Sequence, residues 1–171
     1  MENLIQRLNQ VKDRADARHL FLALEGVYNR LSSVCLSSAG LAIKTGGSAI
    51  VKAGSIIYAT ANGTLLTKAA NTDMAALSGT VTADMYNVYV FTVDSAGTLY
   101  TQMGTEGATL AAVRWPTLDQ ERAIIGFVII NPTGTGNFVG GTTAIDDATV
   151  VPNAVYANTQ GAFDPTAVTG V

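Results

Sequence analysis

The sequence predicts a mainly β protein, in which an N-terminal α-helix is followed by an antiparallel β-sandwich or barrel and then by an extended C-terminal arm. Two contrasts in composition support this. Residues 1–35 hold nine of the 23 charged residues but only one of the 17 glycines and no threonine or proline, as is typical of a helix. Residues 36–171 hold 16 glycines, all four prolines and 21 threonines, as is typical of strands joined by tight turns. We therefore predict three parts, at residues 1–36, 37–151 and 152–171.

The N-terminal part has the apolar periodicity of an amphipathic helix over residues 2–34. Apolar residues recur in its first half at spacings of three, four and seven, and charged residues occupy the other faces. We predict that this first stripe and the arginines beside it contact a sister helix or a partner surface. The residues of this predicted interface are Leu4, Leu8, Val11, Ala15, Leu22, Arg7, Arg14 and Arg18.

The apolar stripe changes position after five turns of this helix. Beyond Arg18, the stripe consists of Leu20, Leu24, Val27, Leu31 and Val34. The change predicts two contacts, with the first half of the helix on a partner and the second half packed on the β body. The alternative is a single helix that lies across its own sheet. At about 1.5 Å per residue the helix would be about 50 Å long, too long to lie wholly over this body.

The β part is recognised by period-two alternation and by turn residues. Asn-Gly and Gly-Gly pairs tolerate positive φ and are typical of hairpin turns. Turns at intervals of 8 to 12 residues are typical of a sandwich or barrel. Residues 69–80 fit either a short helix or a loop. The predicted strands lie at residues 41–44, 49–52, 55–59, 64–68, 86–93, 98–103, 123–130 and 137–139.

The C-terminal segment, residues 152–171, has a composition of its own. It contains one charged residue, Asp164, two prolines, and isolated aromatic residues at Tyr156 and Phe163. Disordered tails are usually richer in charge. We predict an extended arm that packs on its own subunit or on a neighbouring one, with disorder as the alternative beyond Asp164.

Composition and charge argue against several functions. The net charge is −3, and only five basic residues follow position 35, so we predict no nucleic-acid binding. The apolar runs are too short to span a membrane, and no secretory signal is expected in a start as charged as residues 1–18. Apolar residues make up 48% of the chain, which favours burial of surface against further copies of it. The lone cysteine, Cys35, is interpreted as a small buried residue.

Residues with catalytic or metal-binding chemistry are few. His19 has no second histidine to share a metal ion, and the only adjacent acidic pair is Asp146-Asp147. This pair lacks the alternating oxygen-donor spacing of a calcium loop, so we interpret it as a turn with exposed carboxylates. Gly134-x-Gly136 lacks the third glycine and the following helix of a phosphate loop. We predict no enzyme activity and no cofactor.

Trp115 is the most suitable aromatic residue for contact with a ligand. Its position before Pro116 is consistent with an exposed ring that binds a sugar. The alternative is an anchor that fixes a loop against the sheet.

Three segments of the β part resemble a region of virion structural proteins of tailed bacteriophages. These segments are residues 110–116 (LAAVRWP), 123–130 (AIIGFVII) and 137–146 (NFVGGTTAID). In the proteins that they resemble, a small β domain decorates the head as a cement protein or head fibre, often as a trimer. The N-terminal helix lies outside the similar region.

This resemblance implies a structural protein that decorates and stabilises a phage capsid as a homotrimer. Its partners would be its own copies and the major capsid protein, and it would lie on the capsid surface after synthesis in the host cytoplasm. A tail-associated protein would have the same features. The alternative function is a phage or cell-surface β module that recognises a receptor or glycan.

Overall fold

The computed structural model describes residues 14–163, without the side chains at positions 14–16, 26, 29 and 30. Helix α1 spans Arg14–Ser32, and the first turns of the predicted helix lie outside the described residues. The strands that follow are β1 (Val34–Cys35), β2 (Leu41–Ile43), β3 (Val51–Ala53), β4 (Ile57–Ala61), β5 (Thr64–Lys68), β6 (Thr80–Val81), β7 (Asn87–Val93), β8 (Leu99–Met103), β9 (Ala123–Ile130), β10 (Phe138–Val139) and β11 (Val155–Asn158).

All the pairings between these strands are antiparallel. The largest sheet has the order β11-β9-β7-β8, and a second sheet has the order β1-β4-β5. Two shorter pairs, β2-β3 and β10-β6, complete the described sheets. Strands β7 and β9 are central, and a bulge between Phe91 and Thr92 shifts their register.

The main core lies between the four-stranded sheet and the three smaller ones. Tyr89, Phe91 and Val93 of β7 point into it, where they meet buried residues of the other sheets such as Ile57 and Phe138. The alternate residues of β7 enter a second, smaller cluster on the other face of the sheet. The prediction of a mainly β, antiparallel fold is therefore confirmed. The arrangement is sandwich-like, without a closed barrel among the described strands.

The hairpin between β4 and β5 shows how turn chemistry sets the register. Asn62 and Gly63 have φ values of +47° and +73°, as required at both central positions of a type I′ turn. The strand that follows, Thr64–Lys68, has its predicted bounds. Its partner β4 begins and ends two residues later than predicted, and the amide of Ser55, before the strand, donates to the carbonyl of Ala39.

Helix α1 ends at Ser32, two residues before the predicted end. The amide of Gly63 donates to the carbonyl of Ser32 at 2.9 Å, and the amide of Asn62 donates to Oγ of Ser33 at 3.0 Å. The first bond supplies a donor to a carbonyl of the last helical turn, and the second ties the β4–β5 turn to the residue that follows the helix. The chain then pairs with β4, so Cys35 lies in a strand and not at the end of the helix.

The structure decides two segments for which the sequence left alternatives open. Residues 69–79 form a loop without a helix, tied to β3 by a bridge between Lys52 and Asp73. Within the C-terminal segment, Val155–Asn158 forms β11, the edge strand of the largest sheet. The described part of the predicted arm therefore packs on its own chain. Residues 164–171 lie outside the described residues.

Candidate assembly interface

Helix α1 exposes its apolar side chains to solvent. Every side chain described between Ala17 and Leu31 is exposed, including Phe21 at 66% and Leu31 at 65%. The predictions that the second half of the helix packs on the β body, or that the helix lies across its own sheet, are therefore wrong. Apolar periodicity indicates that one face of a helix avoids water, but it does not identify the surface that covers that face. Here the β body of the same chain does not cover it. The large apolar side chains exposed on α1 are Leu20, Phe21, Leu22, Leu24, Val27, Tyr28 and Leu31.

Six of these seven side chains form one continuous arc. At 100° per residue, Leu20, Leu24, Val27 and Leu31 lie within about 60° of one another, and Phe21 and Tyr28 widen the arc to roughly 120°. We call these six residues the α1 stripe. Their spacing places Leu24 and Leu31 at a positions of a heptad and Leu20 and Val27 at d positions. The sequence analysis did not include Phe21 and Tyr28 in the stripe, although their spacing of seven residues places them on the same face of the helix.

The predicted interface residues lie partly outside the described residues and partly in the first half of α1. Leu4, Leu8, Val11 and Arg7 lie outside the described residues. Arg14 and Ala15 belong to the first turn of α1, and Arg18 and Leu22 are exposed farther along. Leu22 points nearly opposite to Leu24, so it lies outside the α1 stripe.

An isolated helix of this kind is poorly stable in water. Most helices in proteins are stabilised by packing of an apolar face, and short helices without such packing are marginal. α1 has 19 residues and leaves its stripe uncovered. Burial of a leucine or phenylalanine side chain contributes about 1.5–3 kcal/mol, so a partner on the stripe would stabilise both the helix and the contact.

Trp115 lies in a cluster of aromatic rings and is half-buried. Its ring meets Phe127 edge-on, with centroids 4.9 Å apart, and lies 5.8 Å from the ring of Phe163. The rings of Phe127 and Phe163 stack at 6.0 Å. These contacts hold the loop that carries Trp115 and the end of the described C-terminal segment against the outer face of β9. The sequence analysis did not predict that Phe163 packs in this aromatic cluster.

The carboxylates of the acidic pair accept hydrogen bonds from backbone amides, one in the distant β2–β3 turn and one in their own loop. Both carboxylate oxygens of Asp146 accept from the amide of Gly47, at 3.0 and 3.1 Å. Oδ1 of Asp147 accepts from the amide of Thr149 at 2.8 Å. Among the described residues, no three histidine, cysteine or acidic side chains lie close enough together to hold a metal ion.

Cys35 is fully buried, which agrees with its interpretation as a small core residue. Its thiol lies 3.1 Å from the carbonyl oxygen of Ser37, to which it donates. Burial raises the pKa of this thiol, so the reactive thiolate is disfavoured.

Tyr89 is a buried tyrosine whose hydroxyl finds no hydrogen-bond partner among the described residues. Burial raises the pKa of Tyr89 to about 12. The pKa of Tyr156 is also raised to about 12, by burial and then by the charge of Asp146. An unfolded tyrosine has a pKa of about 10. Below about pH 10 both states keep their protons, and between pH 10 and 12 only the unfolded state loses them, so stability falls as pH rises through this range.

We expect Tyr89→Phe to stabilise the protein. At pH 7 it removes an unsatisfied buried hydroxyl, for a gain of about 1 kcal/mol in the free energy of unfolding. Between pH 10 and 12 it also removes one of the two raised tyrosine pKa values, so the loss of stability becomes shallower. Urea unfolding at pH 7 and pH 11 measures both effects. Tyr100→Phe is the control and should destabilise, because the Tyr100 hydroxyl donates to Asp94 at 2.9 Å. A lower stability of Tyr89→Phe at pH 7 would contradict the prediction.

No family model matches the chain, and neither a curated protein nor a solved structure shows significant similarity to it. The resemblance of residues 110–116, 123–130 and 137–146 to phage virion proteins therefore stays a prediction. Helix α1, the one α-helix in the described part of the chain, is not apolar enough to cross a membrane.

Proposed function

We propose that this chain is a structural protein of a tailed-phage virion, which assembles into a homotrimer through α1 and decorates and stabilises the capsid. The observation that carries the proposal is the α1 stripe, an apolar face of a helix that the chain's own body leaves exposed. A contiguous exposed apolar surface of this kind marks a site of protein–protein contact. The virion setting is supported by the resemblance of residues 110–146 to phage proteins.

The width and pattern of the stripe favour a trimer over a dimer. Two-stranded coiled coils prefer β-branched residues at a and leucine at d, whereas here the a positions are Leu24 and Leu31 and one d position is Val27. A stripe of a and d residues alone suffices for a narrow seam. Phe21 and Tyr28 extend the apolar arc beyond that seam, as suits a helix that touches two neighbours.

Trimers fit a capsid because symmetric partners make matched contacts. At a threefold or quasi-threefold position each protomer makes the same contact with the shell. Three linked contacts act together, and the resulting avidity exceeds a single affinity by roughly 10²–10⁴. A protein that binds the assembled shell better than its free subunits stabilises the shell by mass action.

The N-terminal end of the helix is the proposed capsid-binding segment. Its sequence carries Arg7, Arg14 and Arg18, and Arg18 is exposed on α1. Arginine binds carboxylates through several directed hydrogen bonds, so an acidic patch on the major capsid protein would suit this segment. The β body would then face outward.

The alternative function, recognition of a receptor or glycan, has Trp115 as its candidate residue. A sugar-binding aromatic residue offers a free ring face to its ligand. Here the ring packs against both Phe127 and Phe163, so the structure lends this alternative no support.

The proposal is tested by binding the purified chain to undecorated heads of the phage that encodes it. We expect saturable binding of trimers, counted by quantitative electrophoresis of sedimented heads, and greater resistance of the decorated heads to heat. Exchange of the two arginines nearest the start of α1, in the variant Arg14→Glu/Arg18→Glu, should weaken binding at least tenfold. Arg114→Glu, which changes an exposed arginine of the body, is the matched control. Heads that bind no protein, or that bind monomers, would refute the proposal.

A further inference from the structure

The outer face of the sheet β1-β4-β5 is a second exposed apolar surface. Its inward residues Cys35, Ile57 and Ala59 are fully buried in the main core. Because side chains alternate along a strand, the residues between them point away from the core. We call these residues and their neighbours across the sheet the outer sheet face. It consists of Val34, Leu36, Ile56, Tyr58, Thr60, Leu65 and Thr67.

The outer sheet face is apolar and carries no charged side chain. Leu65 is 67% exposed, and Leu36, Ile56 and Tyr58 are also exposed. Leu36 and Tyr58 lie side by side, since the amide of Leu36 donates to the carbonyl of Tyr58 at 2.8 Å. A surface of large exposed apolar side chains without any charge is unusual on a monomer and is typical of the centre of an interface.

This face adjoins the end of α1. Only Ser33 separates α1 from β1, and the β4–β5 turn binds the last turn of the helix through Gly63. The hydroxyl of Tyr28, in the α1 stripe, lies beside the same glycine, 3.7 Å from where a side-chain carbon would start. The α1 stripe and the outer sheet face are therefore neighbouring surfaces that meet at this turn.

We infer that the outer sheet faces of the three copies pack against one another beneath the helices, so that the trimer interface extends from α1 onto the β body. This inference rests on the proposed function. Three helices held side by side bring the elements at their C-terminal ends together around the same axis. The first of these elements is the sheet that contains β1.

Two physical arguments favour further copies of this chain as the occupant. In a cyclic assembly the same surface of each copy meets its neighbours, so a charged face would place like charges together, and an uncharged apolar face avoids this cost. The described stripe of α1 also covers about two heptads, fewer than the three or four that a coiled coil usually sustains. The outer sheet face supplies apolar area in the place where the helices end.

The test compares two exposed leucines of the body. Leu65→Glu changes the outer sheet face, and Leu110→Glu makes the same change on a 3-10 turn where the leucine is 51% exposed. Both side chains are on the surface of the single chain, so both variants should keep the fold by circular dichroism. We expect Leu65→Glu to raise at least tenfold the concentration at which the trimer dissociates, measured by sedimentation equilibrium. Leu110→Glu should change it less than twofold. Tyr58→Arg is a second variant of the same face and should act like Leu65→Glu.

The outcomes separate this inference from the proposed function. If Leu24→Glu/Leu31→Glu dissociates the trimer while Leu65→Glu and Tyr58→Arg leave it intact, the helix interface stands and the inference about the sheet is wrong. If the unmodified chain is monomeric, the proposed trimer fails and the inference fails with it. If Leu65→Glu lowers the stability of the dissociated helix variant, the face is covered by the same chain, which also overturns the inference.

Discussion

Replacement of Leu24 and Leu31 by glutamate should convert the proposed trimer into monomers. Both residues lie at the centre of the α1 stripe and are exposed in the single chain. In a trimer each copy would then bury two carboxylates beside those of its neighbours, and unpaired buried charge costs several kcal/mol. We therefore expect the mass in light scattering to fall from about 53 kDa, three times 17.7 kDa, to that of one chain at micromolar concentration.

The matched control for this experiment lies on the same helix. Leu22 is of the same type and is also exposed, but it points nearly opposite to Leu24. Leu22→Glu should leave the proposed trimer intact. If Leu22→Glu dissociates the chain and the change at Leu24 and Leu31 does not, the first apolar stripe, with Leu8 and Val11, forms the interface in place of the α1 stripe.

A methyl group added at Gly126 should displace β11. In β9, a Cβ at this position would lie 2.4 Å from the carbonyl oxygen of Ala157 and 2.6 Å from Cδ1 of Leu41. The leucine can move, but the carbonyl belongs to the backbone of the paired strand and cannot do so without losing its register. We expect Gly126→Ala to destabilise the fold by about 1–3 kcal/mol, as for other overpacked sites.

Limited proteolysis and hydrogen exchange measure this effect locally. Amides of Val155–Asn158 should exchange faster in Gly126→Ala, and protease should cut the C-terminal segment earlier. Gly46→Ala is the control, because a Cβ there would meet its nearest neighbour, a carboxylate oxygen of Asp146, at an ordinary 3.7 Å. Equal protection of β11 in the two variants would show that the sheet accommodates the methyl group.

Local signals in the sequence were sufficient to locate most of the longer strands, whereas β1, β6 and β11 were not predicted. The bounds of β5 and β9 agree with the predictions, because the Asn-Gly turn marks the start of β5 and β9 is one continuous apolar run. The Asn62-Gly63 pair specifies its own turn by allowing positive φ. The alternating residues of β7 enter two different cores, since adjacent side chains of a strand face opposite ways.

Other features depend on contacts between distant parts of the chain. Val155–Asn158 carries a weak strand signal and becomes a strand because the edge of β9 accepts its hydrogen bonds. The end of α1 is set by the amides of Asn62 and Gly63, some 30 residues later in the chain. Neither partner is visible in the local sequence.

The candidate interface, too, was predicted in part from the sequence and in part revealed by the structure. The sequence by itself determined that α1 is a helix with an apolar stripe, because periodicity reflects which residues avoid water. Only the tertiary structure decided that the body leaves this stripe uncovered, and that Leu65 and Tyr58 form a second apolar face beside it. The physical reason is that hydrophobicity has no direction: a pattern shows that a residue needs burial, and only the positions of the other elements show whether its own chain provides it.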